Sequence, residues 1–315
     1  MTRSREILVG VDGSAASLHA LDWAAQEAVI HGLGLRLVCG YALPSFAAAS
    51  LDGGYAALDD SAIRAGAQAV VADAAEHVAN AGVPVTSHVT VGDAAAVLID
   101  ESARVTMAVV GTRGGGGFAE RLLGTVSSAL PAHAQCPTIV VPTRRKAKGA
   151  PPEEEPLVVR PVRRVVVGLD GSPQAELALR WAIREAKVWG AELVAVTGVP
   201  VTAGSGTLAW LPAAVDHQQV LEDVATALDV LIDRVAAEEP GAPEITRTVR
   251  DGTGAQLLTE ASADTDLLVV GSRGRGGFAG LLLGSTSQAG LHHAQSPVMI
   301  VTQKCTLEDD GVHPE

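Results

Sequence analysis

Short runs of β-branched residues alternate with longer Ala- and Leu-rich stretches along most of the chain. The first run, residues 6–11, is followed from Ser14 by apolar residues at the spacing of an amphipathic helix, and Ser14 is a suitable N-cap. The same pattern predicts further elements in the first half, with strands at residues 35–41, 83–91, 107–111 and 138–141 and helices at 58–81, 94–103 and 124–134. Strands that alternate with helices favour a parallel sheet with helices on both faces.

The second half of the chain repeats the first. The segment LVGVDGS at residues 8–14 returns as VVGLDGS at 166–172, and VVGTRG at 109–114 returns as VVGSRG at 269–274. Strands are predicted in this half at residues 164–169, 193–199, 245–250, 266–271 and 298–301. Matches in the same order across a whole half indicate a duplicated domain. The predicted fold class is therefore α/β, with two tandem domains, each a five-stranded parallel sheet covered by helices on both faces.

The two domains are predicted at residues 1–142 and 162–303. Between them, residues 143–161 carry a basic run, then prolines and an acidic run, a composition typical of a solvated linker. Residues 304–315 are interpreted as a polar tail.

Composition narrows the classes of function. Hydrophobic residues make up 47% of the 315 residues but aromatic residues only 3%, so the cores must be built from Ala, Val, Leu and Ile. A net charge of −13, with 23 basic against 36 acidic residues, argues against nucleic-acid binding. Cys39, Cys136 and Cys305 form no C-x-x-C motif, so neither a disulfide framework nor a metal site is predicted. No apolar run is long enough to span a membrane, and a cytoplasmic protein without a membrane partner is expected.

Glycine-rich segments follow the fourth predicted strand of each half. They read GTRGGGG at residues 111–117 and GSRGRGG at 271–277, and each leads to a helix that opens with GTVS at 124–127 or GSTS at 284–287. Glycines allow a close backbone approach to an anion, and a helix N-terminus offers unpaired N–H groups with a partial positive charge. These features predict a phosphate site at the carboxyl edge of each sheet.

Side chains near the loops add to these predicted sites. Arginines accompany both loops in an otherwise acidic chain: Arg113, Arg121, Arg273 and Arg275. Hydroxyl residues at the starts of the two helices are candidate donors to phosphate: Thr125, Ser127, Ser285 and Ser287.

The spacing G-x2-G-x9-G-[T/S], present at residues 111–125 and again at 271–285, resembles the ATP-binding signature of the universal stress protein family. The VGVDGS segment at 9–14 and the HA-x-x-P segment at 133–137 are also similar to that family. The resemblance covers both halves and implies the sheet order 3-2-1-4-5 in each. It further implies that domains pair through their last strands, which a tandem chain can satisfy internally, with a homodimer as a further state.

By the same resemblance the ligand is ATP, with or without Mg²⁺. Asp12 and Asp170 would fix the adenosine end directly or through an ion, and the backbone at Tyr41 and Val199 would contact the adenine edge. The other predicted ATP-binding residues are Gly10, Gly111, Arg113, Gly114, Gly117, Gly124, Thr125, Val126 and Ser127 in the first half, and Gly168, Gly271, Arg273, Gly274, Gly277, Gly284, Ser285, Thr286 and Ser287 in the second.

The two sites are expected to differ. Tyr41 stands against Val199, which predicts unequal packing on adenine, and Thr106 stands against Asp266, which predicts unequal rigidity.

The favoured function is an ATP-binding regulator of stress, dormancy or growth that acts through a change of shape or through a protein partner that the sequence does not identify. No G-K-[S/T] segment is present, so the lysine and hydroxyl of a P-loop NTPase are missing, and no catalytic residue is predicted. Two alternatives remain, an adenylating or ATP-pyrophosphatase-like enzyme and a dimerisation module without nucleotide. His133 and His293 end matching helices and are interpreted as partners of the helix dipole.

Overall fold

A computed structural model describes residues 3–42, 60–114, 123–143, 159–200, 216–275 and 282–305. The elements of the first half are β1 (Ser4–Gly10), α1 (Ala15–His31), β2 (Gly34–Tyr41), α2 (Asp60–His77), β3 (Val85–Val91), α3 (Ala94–Glu101), β4 (Val105–Gly111), α4 (Thr125–His133) and β5 (Thr138–Val141). Those of the second half are β6 (Arg164–Gly168), α5 (Pro173–Trp189), β7 (Glu192–Val199), α6 (His217–Glu238), β8 (Ile245–Asp251), α7 (Gly254–Ala261), β9 (Leu267–Gly271), α8 (Ser285–His293) and β10 (Val298–Val301).

The periodicity located every one of these strands, with shifts of one or two residues at their ends. Residues 58–59 of the predicted second helix, most of the predicted linker and most of the predicted tail lie outside the described residues. No helix within the described ranges combines the length and the apolar character that a membrane span requires.

The first helix of each half begins and ends at residues that local chemistry favours. Ser14 is the N-cap of α1, as predicted, and its Oγ accepts a hydrogen bond from the Ser17 N–H at 3.2 Å. The helix ends at Gly32, which adopts a left-handed conformation with φ of 62° that a residue with a Cβ rarely takes. Ser172 and Gly190 do the same for α5.

The ten strands of the described residues form one sheet, in the order β3-β2-β1-β4-β5-β10-β9-β6-β7-β8. Each half therefore has the order 3-2-1-4-5 with parallel neighbours, which confirms the predicted fold. The halves meet through β5 and β10, which pair antiparallel with Ile139 opposite Met299. The pairing through last strands that the family resemblance implied is thus made within one chain.

Both faces of the sheet are buried, and successive strand residues enter opposite cores. In β1, Ile7 and Val9 belong to the core under α1, α2, α5 and α6, whereas Leu8 belongs to the core under α3, α4, α7 and α8. Each core contains residues from both halves. Trp23 and Trp181, at equivalent positions of α1 and α5, are buried in the first of these cores.

Helices α1 and α5 bring a cluster of charged groups to the boundary between the halves. The Nε2 atom of His31 lies 2.9 Å from Oε1 of Glu27 and 3.1 Å from Oε2 of Glu185. Burial and the neighbouring carboxylate of Glu185 raise the pKa of Glu27 to about 8. Burial opposes the ionised form of Glu185 as well, but the charge and hydrogen bond of His31 outweigh it and lower the pKa of Glu185.

Candidate functional site

Each half has a cleft at the carboxyl end of its first strand, where the chain order of the sheet reverses. The strand β1 lies between β2 and β4, so the loops that follow β1 and β4 leave toward opposite faces and open a crevice. The clefts have volumes of about 280 Å³ in the first half and about 380 Å³ in the second.

Most residues predicted for ATP binding line these clefts. In the first half they are Gly10, Asp12, Gly111, Arg113, Gly114, Gly124, Thr125, Val126 and Ser127. In the second they are Gly168, Asp170, Gly271, Arg273, Gly274, Gly284, Ser285, Thr286 and Ser287. The predicted residues Gly117 and Gly277, together with Arg121, lie outside the described residues.

Glycines at the strand ends are required because helix α1 crosses closely over β4. A Cβ added to Gly111 would lie 2.6 Å from the backbone oxygen of Ala16. In the second half, a Cβ on Gly271 would lie 2.9 Å from the backbone carbon of Gln174. The side chain of Leu98 approaches Gly10 in the same way, with a Cβ there at 2.8 Å from its Cδ1. These glycines form the floor of the cleft, and their absent side chains are explained by the packing of the protein itself.

The aspartate after the first strand fastens the glycine loop. Asp170 accepts hydrogen bonds on both oxygens, from the Ser172 N–H to Oδ1 and from the Arg275 N–H to Oδ2, each at 2.9 Å. The carboxylate lies so close to the loop that a Cβ on Gly274 would be 2.1 Å from Oδ2. Between Asp170 and Ser172, Gly171 has a φ of 72°, which requires glycine.

The first half repeats this arrangement. Oδ1 of Asp12 accepts hydrogen bonds from the N–H and the Oγ of Ser14, at 3.0 and 2.6 Å. A Cβ on Gly114 would lie 2.1 Å from Oδ2 of Asp12. Both aspartates were expected to contact the nucleotide, and their bonds within the protein are a second role that the sequence did not reveal. The Asp-x-Ser spacing was the available signal, because such an aspartate commonly bonds the backbone two residues further on.

The hydroxyls of Ser127 and Ser287 do not act as the sequence suggested. Ser127 is fully buried, and its Oγ donates to the backbone oxygen of Thr112 at 2.7 Å and accepts from the Gly124 N–H at 2.9 Å. Ser287 likewise donates to carbonyl oxygens at the end of β9. Both hydroxyls therefore tie a helix N-terminus to a strand end, and their protons are already used within the protein.

What remains open toward each cleft is the backbone of the first helical turn. Residues 125–127 and 285–287 precede the first intrahelical hydrogen bonds, which begin at Ser128 and Gln288. The side chains of Thr125 and Ser285 are exposed at these positions. This end of α4 or α8 combines a partial positive charge with unpaired donors, the chemistry that binds phosphate.

The arginines have separate positions. Arg113 and Arg273 line the two clefts. Arg275 contributes to the loop anchor instead, since its Nη2 donates to the backbone oxygen of Gly171 at 3.0 Å.

The predicted adenine contacts fall one residue away from the clefts. Gly40 and Gly198 line them, whereas Tyr41 and Val199 do not. The backbone oxygens of Tyr41 and Val199 accept hydrogen bonds from Gly92 and Gly252, at 2.8 and 3.1 Å. Both of these carbonyl groups are therefore already paired at the strand ends beside the clefts.

The two clefts differ in size and lining, and the expected difference between Thr106 and Asp266 is not at the clefts. Thr106 lies at the start of β4 and Asp266 just before β9, at the opposite end of the sheet from the clefts. The lining itself changes at five equivalent pairs: Val11 and Leu169, Ser17 and Ala175, Ala94 and Gly254, Thr125 and Ser285, and Val126 and Thr286. The second cleft is the larger of the two, and one hydroxyl has moved, because the hydroxyl of Ser17 has no counterpart at Ala175 while Val126 is replaced by Thr286.

His133 and His293 lie at the C-terminal ends of α4 and α8, whereas the clefts are at the N-terminal ends. Neither histidine lines a cleft. Their position agrees with the helix-dipole interpretation.

The fold and the clefts define a tandem α/β protein with one anion-suited crevice in each half. The Universal stress protein family model matches residues 3–142 and 161–302. The chain belongs to the universal stress protein family.

Relatives of the same length support this assignment. The chain is 33% identical to a universal stress protein of Mycobacterium tuberculosis (strain H37Rv), with 95% of this chain and 97% of the relative covered. It is 34% identical to one of Mycolicibacterium smegmatis, covering 94% and 96% of the two chains. Among solved structures, a universal stress protein from Archaeoglobus fulgidus superposes with a TM-score of 0.68 at 21% identity, covering 95% of this chain and 99% of that one. The last similarity concerns the fold alone.

Proposed function

We propose that both clefts bind ATP, with the phosphates at the N-termini of α4 and α8. The observation that carries this proposal is the set of backbone N–H groups at residues 125–127 and 285–287, which belong to the lining of the clefts and precede the first intrahelical bonds. Such amides bind phosphate oxygens without any rearrangement of the backbone.

The charge around the clefts supports an anionic ligand. The chain carries a net charge of −13, yet Arg113 and Arg273 stand at equivalent positions in the two linings. A guanidinium matches phosphate oxygens in charge and geometry. Exposed hydroxyls of Thr125 and Ser285 add neutral donors beside it.

Room for the ligand is left at the glycine that caps each helix. Among the described residues, the atom nearest to a Cβ added on Gly124 would lie 3.6 Å away, and that for Gly284 would lie 3.5 Å away. Ordinary van der Waals contact of this kind does not require glycine, unlike the close contacts at Gly111 or Gly114. The close approach of a phosphate group explains a glycine at this position.

Asp12 and Asp170 contribute to the site by holding the glycine loop rather than by carrying Mg²⁺. Both oxygens of Asp170 already accept hydrogen bonds from backbone N–H groups. Mg²⁺ usually keeps several waters and binds through substrate phosphates. We therefore expect any Mg²⁺ to arrive with ATP and to be held by the phosphates.

We infer that the output of binding is regulatory, through the shape of the chain or a protein partner, and not catalytic. The sequence has no G-K-[S/T] segment. The buried hydroxyls of the first helical turns, Ser127 and Ser287, are occupied in bonds to the strand ends. Slow turnover of bound ATP is the expected result of any activity assay.

The test removes single phosphate donors without changing the fold. Proline at the first position of a helix is favoured, and Gly124 and Gly284 have extended ψ values of 174° and 163° that suit a following proline. Titration calorimetry should give two ATP per wild-type chain. Thr125→Pro and Ser285→Pro should each weaken one site roughly tenfold or more, since a hydrogen bond to a charged group contributes about 1.5–3 kcal/mol.

The matched control is Ala15→Pro, at the first position of α1. Its counterpart in α5 is Pro173, so the fold accepts proline there, and Ala15 lines neither cleft. Both ATP molecules should bind this variant with unchanged affinity. The proposal would be overturned if the wild-type chain did not bind ATP. It would also be overturned if the Thr125→Pro, Ser285→Pro double variant bound ATP with the affinity of the wild-type chain. Release of many ADP or pyrophosphate molecules per chain each second would favour the enzyme alternative.

A further inference from the structure

Three metal-ligating side chains meet between the two halves, on the face of the sheet covered by α1 and α5. Glu27 and His31 are one turn apart on α1, and Glu185 is the equivalent of Glu27 on α5. One donor atom from each lies within 4.8 Å of the other two. Both carboxylates are fully buried, and 13% of the His31 side chain is exposed.

The hydrogen bonds of this cluster are incomplete. The single N–H available on Nε2 of His31 is aligned with Oε2 of Glu185, and the 2.9 Å contact to Glu27 is not aligned as a hydrogen bond. Oε1 of Glu27 and Oε1 of Glu185 have no hydrogen-bond partner outside the cluster among the described residues, and at neutral pH Glu27 keeps a proton, since its pKa is raised to about 8. A buried polar atom without a partner is costly, and more so when it carries charge.

We propose that Glu27, His31 and Glu185 bind one divalent transition-metal ion of the zinc class. Carboxylate oxygens and imidazole nitrogen are ordinary ligands of such ions, which bind at about 2.0–2.2 Å and accept three protein ligands with a water in the fourth position. The ion replaces the protons held by the cluster, among them the one on Nε2 of His31, which pass to solvent, and its two positive charges balance the two buried carboxylates. It contacts all three donor atoms at once, which the single N–H of His31 does not achieve.

A neighbouring side chain orients one of the ligands. Nε1 of Trp189 donates a hydrogen bond to Oε2 of Glu27 at 3.1 Å, which leaves Oε1 directed toward His31. Hydrogen bonds from outside the ligand set commonly fix metal-binding carboxylates in this way.

The site is single although the chain is duplicated. Trp189 ends α5 where His31 ends α1, so the second half contributes an indole in place of a second imidazole. Its ligands come from both halves, and bound metal therefore stabilises the paired arrangement of the two domains over the unfolded chain. The partly exposed edge of His31 is the route from solvent.

The experiment uses the full-length chain, freed of metal with a chelator and of nucleotide by dialysis. We expect one equivalent of Zn²⁺ by calorimetry and one of Co²⁺ with the strong visible absorption of a four-coordinate site. The melting midpoint should rise with either ion. His31→Gln and Glu185→Gln should each weaken the affinity at least tenfold and abolish that rise.

His77→Gln is the matched control, because His77 pairs with Asp22 on the surface at 2.6 Å and lies apart from the cluster. It should bind metal as the wild-type chain does. Circular dichroism reports whether the variants fold. The Co²⁺ spectrum of the wild-type chain reports the coordination of the metal without any variant. Three results would overturn the proposal. The first is that the wild-type chain binds neither ion at micromolar concentration, and the second is that its Co²⁺ spectrum is weak and six-coordinate. The third is that folded His31→Gln and Glu185→Gln bind metal as well as the wild-type chain does. None of these results depends on ATP.

Discussion

Glycines of the two clefts are required for different physical reasons, although they belong to one signature. Gly111 allows the backbone of α1 to pass over the end of β4, and Gly114 allows the carboxylate of Asp12 to reach the loop. Among the described residues Gly124 has neither constraint, because the nearest atom would be 3.6 Å from an added Cβ. Of these three glycines, Gly124 is therefore the one that the proposed phosphate contact is needed to explain. A variant at Gly111 or Gly114 would test packing and loop anchoring first.

At the residue scale, we predict that Gly111→Ala lowers the free energy of unfolding by about 1–3 kcal/mol, the usual cost of forcing extra atoms into a packed region. The reason is the 2.6 Å distance from the new Cβ to the backbone oxygen of Ala16, which cannot move without shifting α1. Urea unfolding followed by Trp fluorescence measures the change.

Gly66→Ala is the control for that prediction. Gly66 lies within α2, and no atom of the described residues is within 4 Å of a Cβ added there. Alanine is favoured over glycine in a helix by about 1 kcal/mol, so this variant should be as stable as the parent or more stable. If both variants changed stability in the same direction, the steric explanation for Gly111 would be wrong.

At the scale of elements, each cleft depends on how a helix is attached to a strand. The Oγ atom of Ser127 bonds the N-terminus of α4 to the carbonyl oxygen that follows β4, and Ser287 repeats the connection for α8 and β9. These hydroxyls set where the free amides of the first turn point. Both serines line the clefts, and the sequence suggested that their hydroxyls donate to phosphate, whereas the acceptor for Ser127 is a carbonyl 15 residues away along the chain.

We expect Ser127→Ala to cost about 0.5–1.5 kcal/mol of stability, since it removes the hydroxyl bonds to the Gly124 N–H and the Thr112 carbonyl but leaves the 2.9 Å backbone bond between those two groups. The same change should weaken ATP binding in the first cleft, because α4 loses its attachment. Thermal unfolding and calorimetry on one preparation measure both effects.

Ser128→Ala separates this role from the loss of any hydroxyl in the same turn. Ser128 is exposed, and its Oγ bonds the Gly124 carbonyl at 2.8 Å within its own helix. Its replacement should change stability by no more than about 0.5 kcal/mol. Equal losses from the two variants would mean that the bond to β4 has no special weight.

For the whole molecule, the continuous sheet makes the two domains one structural unit. The antiparallel pair β5–β10 joins the halves edge to edge, and each hydrophobic core has members from both. An exposed final strand in either half would present unpaired backbone groups, which the internal pairing removes. We therefore expect unfolding of the halves to be coupled.

Leu21→Ala and Leu179→Ala test this coupling as a matched pair, because the two leucines occupy equivalent, fully buried positions on α1 and α5. Each should cost about 2–5 kcal/mol. Hydrogen exchange should show that either variant reduces protection in both β2 and β7. Loss of protection confined to the half that carries the substitution would indicate two independent domains.

Local pattern and spacing determined much of this protein in advance. The sequence alone predicted the strand order along the chain, the duplication, the N-cap at Ser14, the family and most of the cleft lining. Each of these features depends on residues that are close in sequence or on a motif repeated with fixed spacing. Tertiary structure decided the rest. Asp170 reaches the loop at Arg275, and α1 and α5 bring Glu27 to Glu185 across the two halves. Such contacts join residues more than 100 positions apart, and which side chains meet depends on how the helices cross the sheet, a geometry that periodicity does not encode.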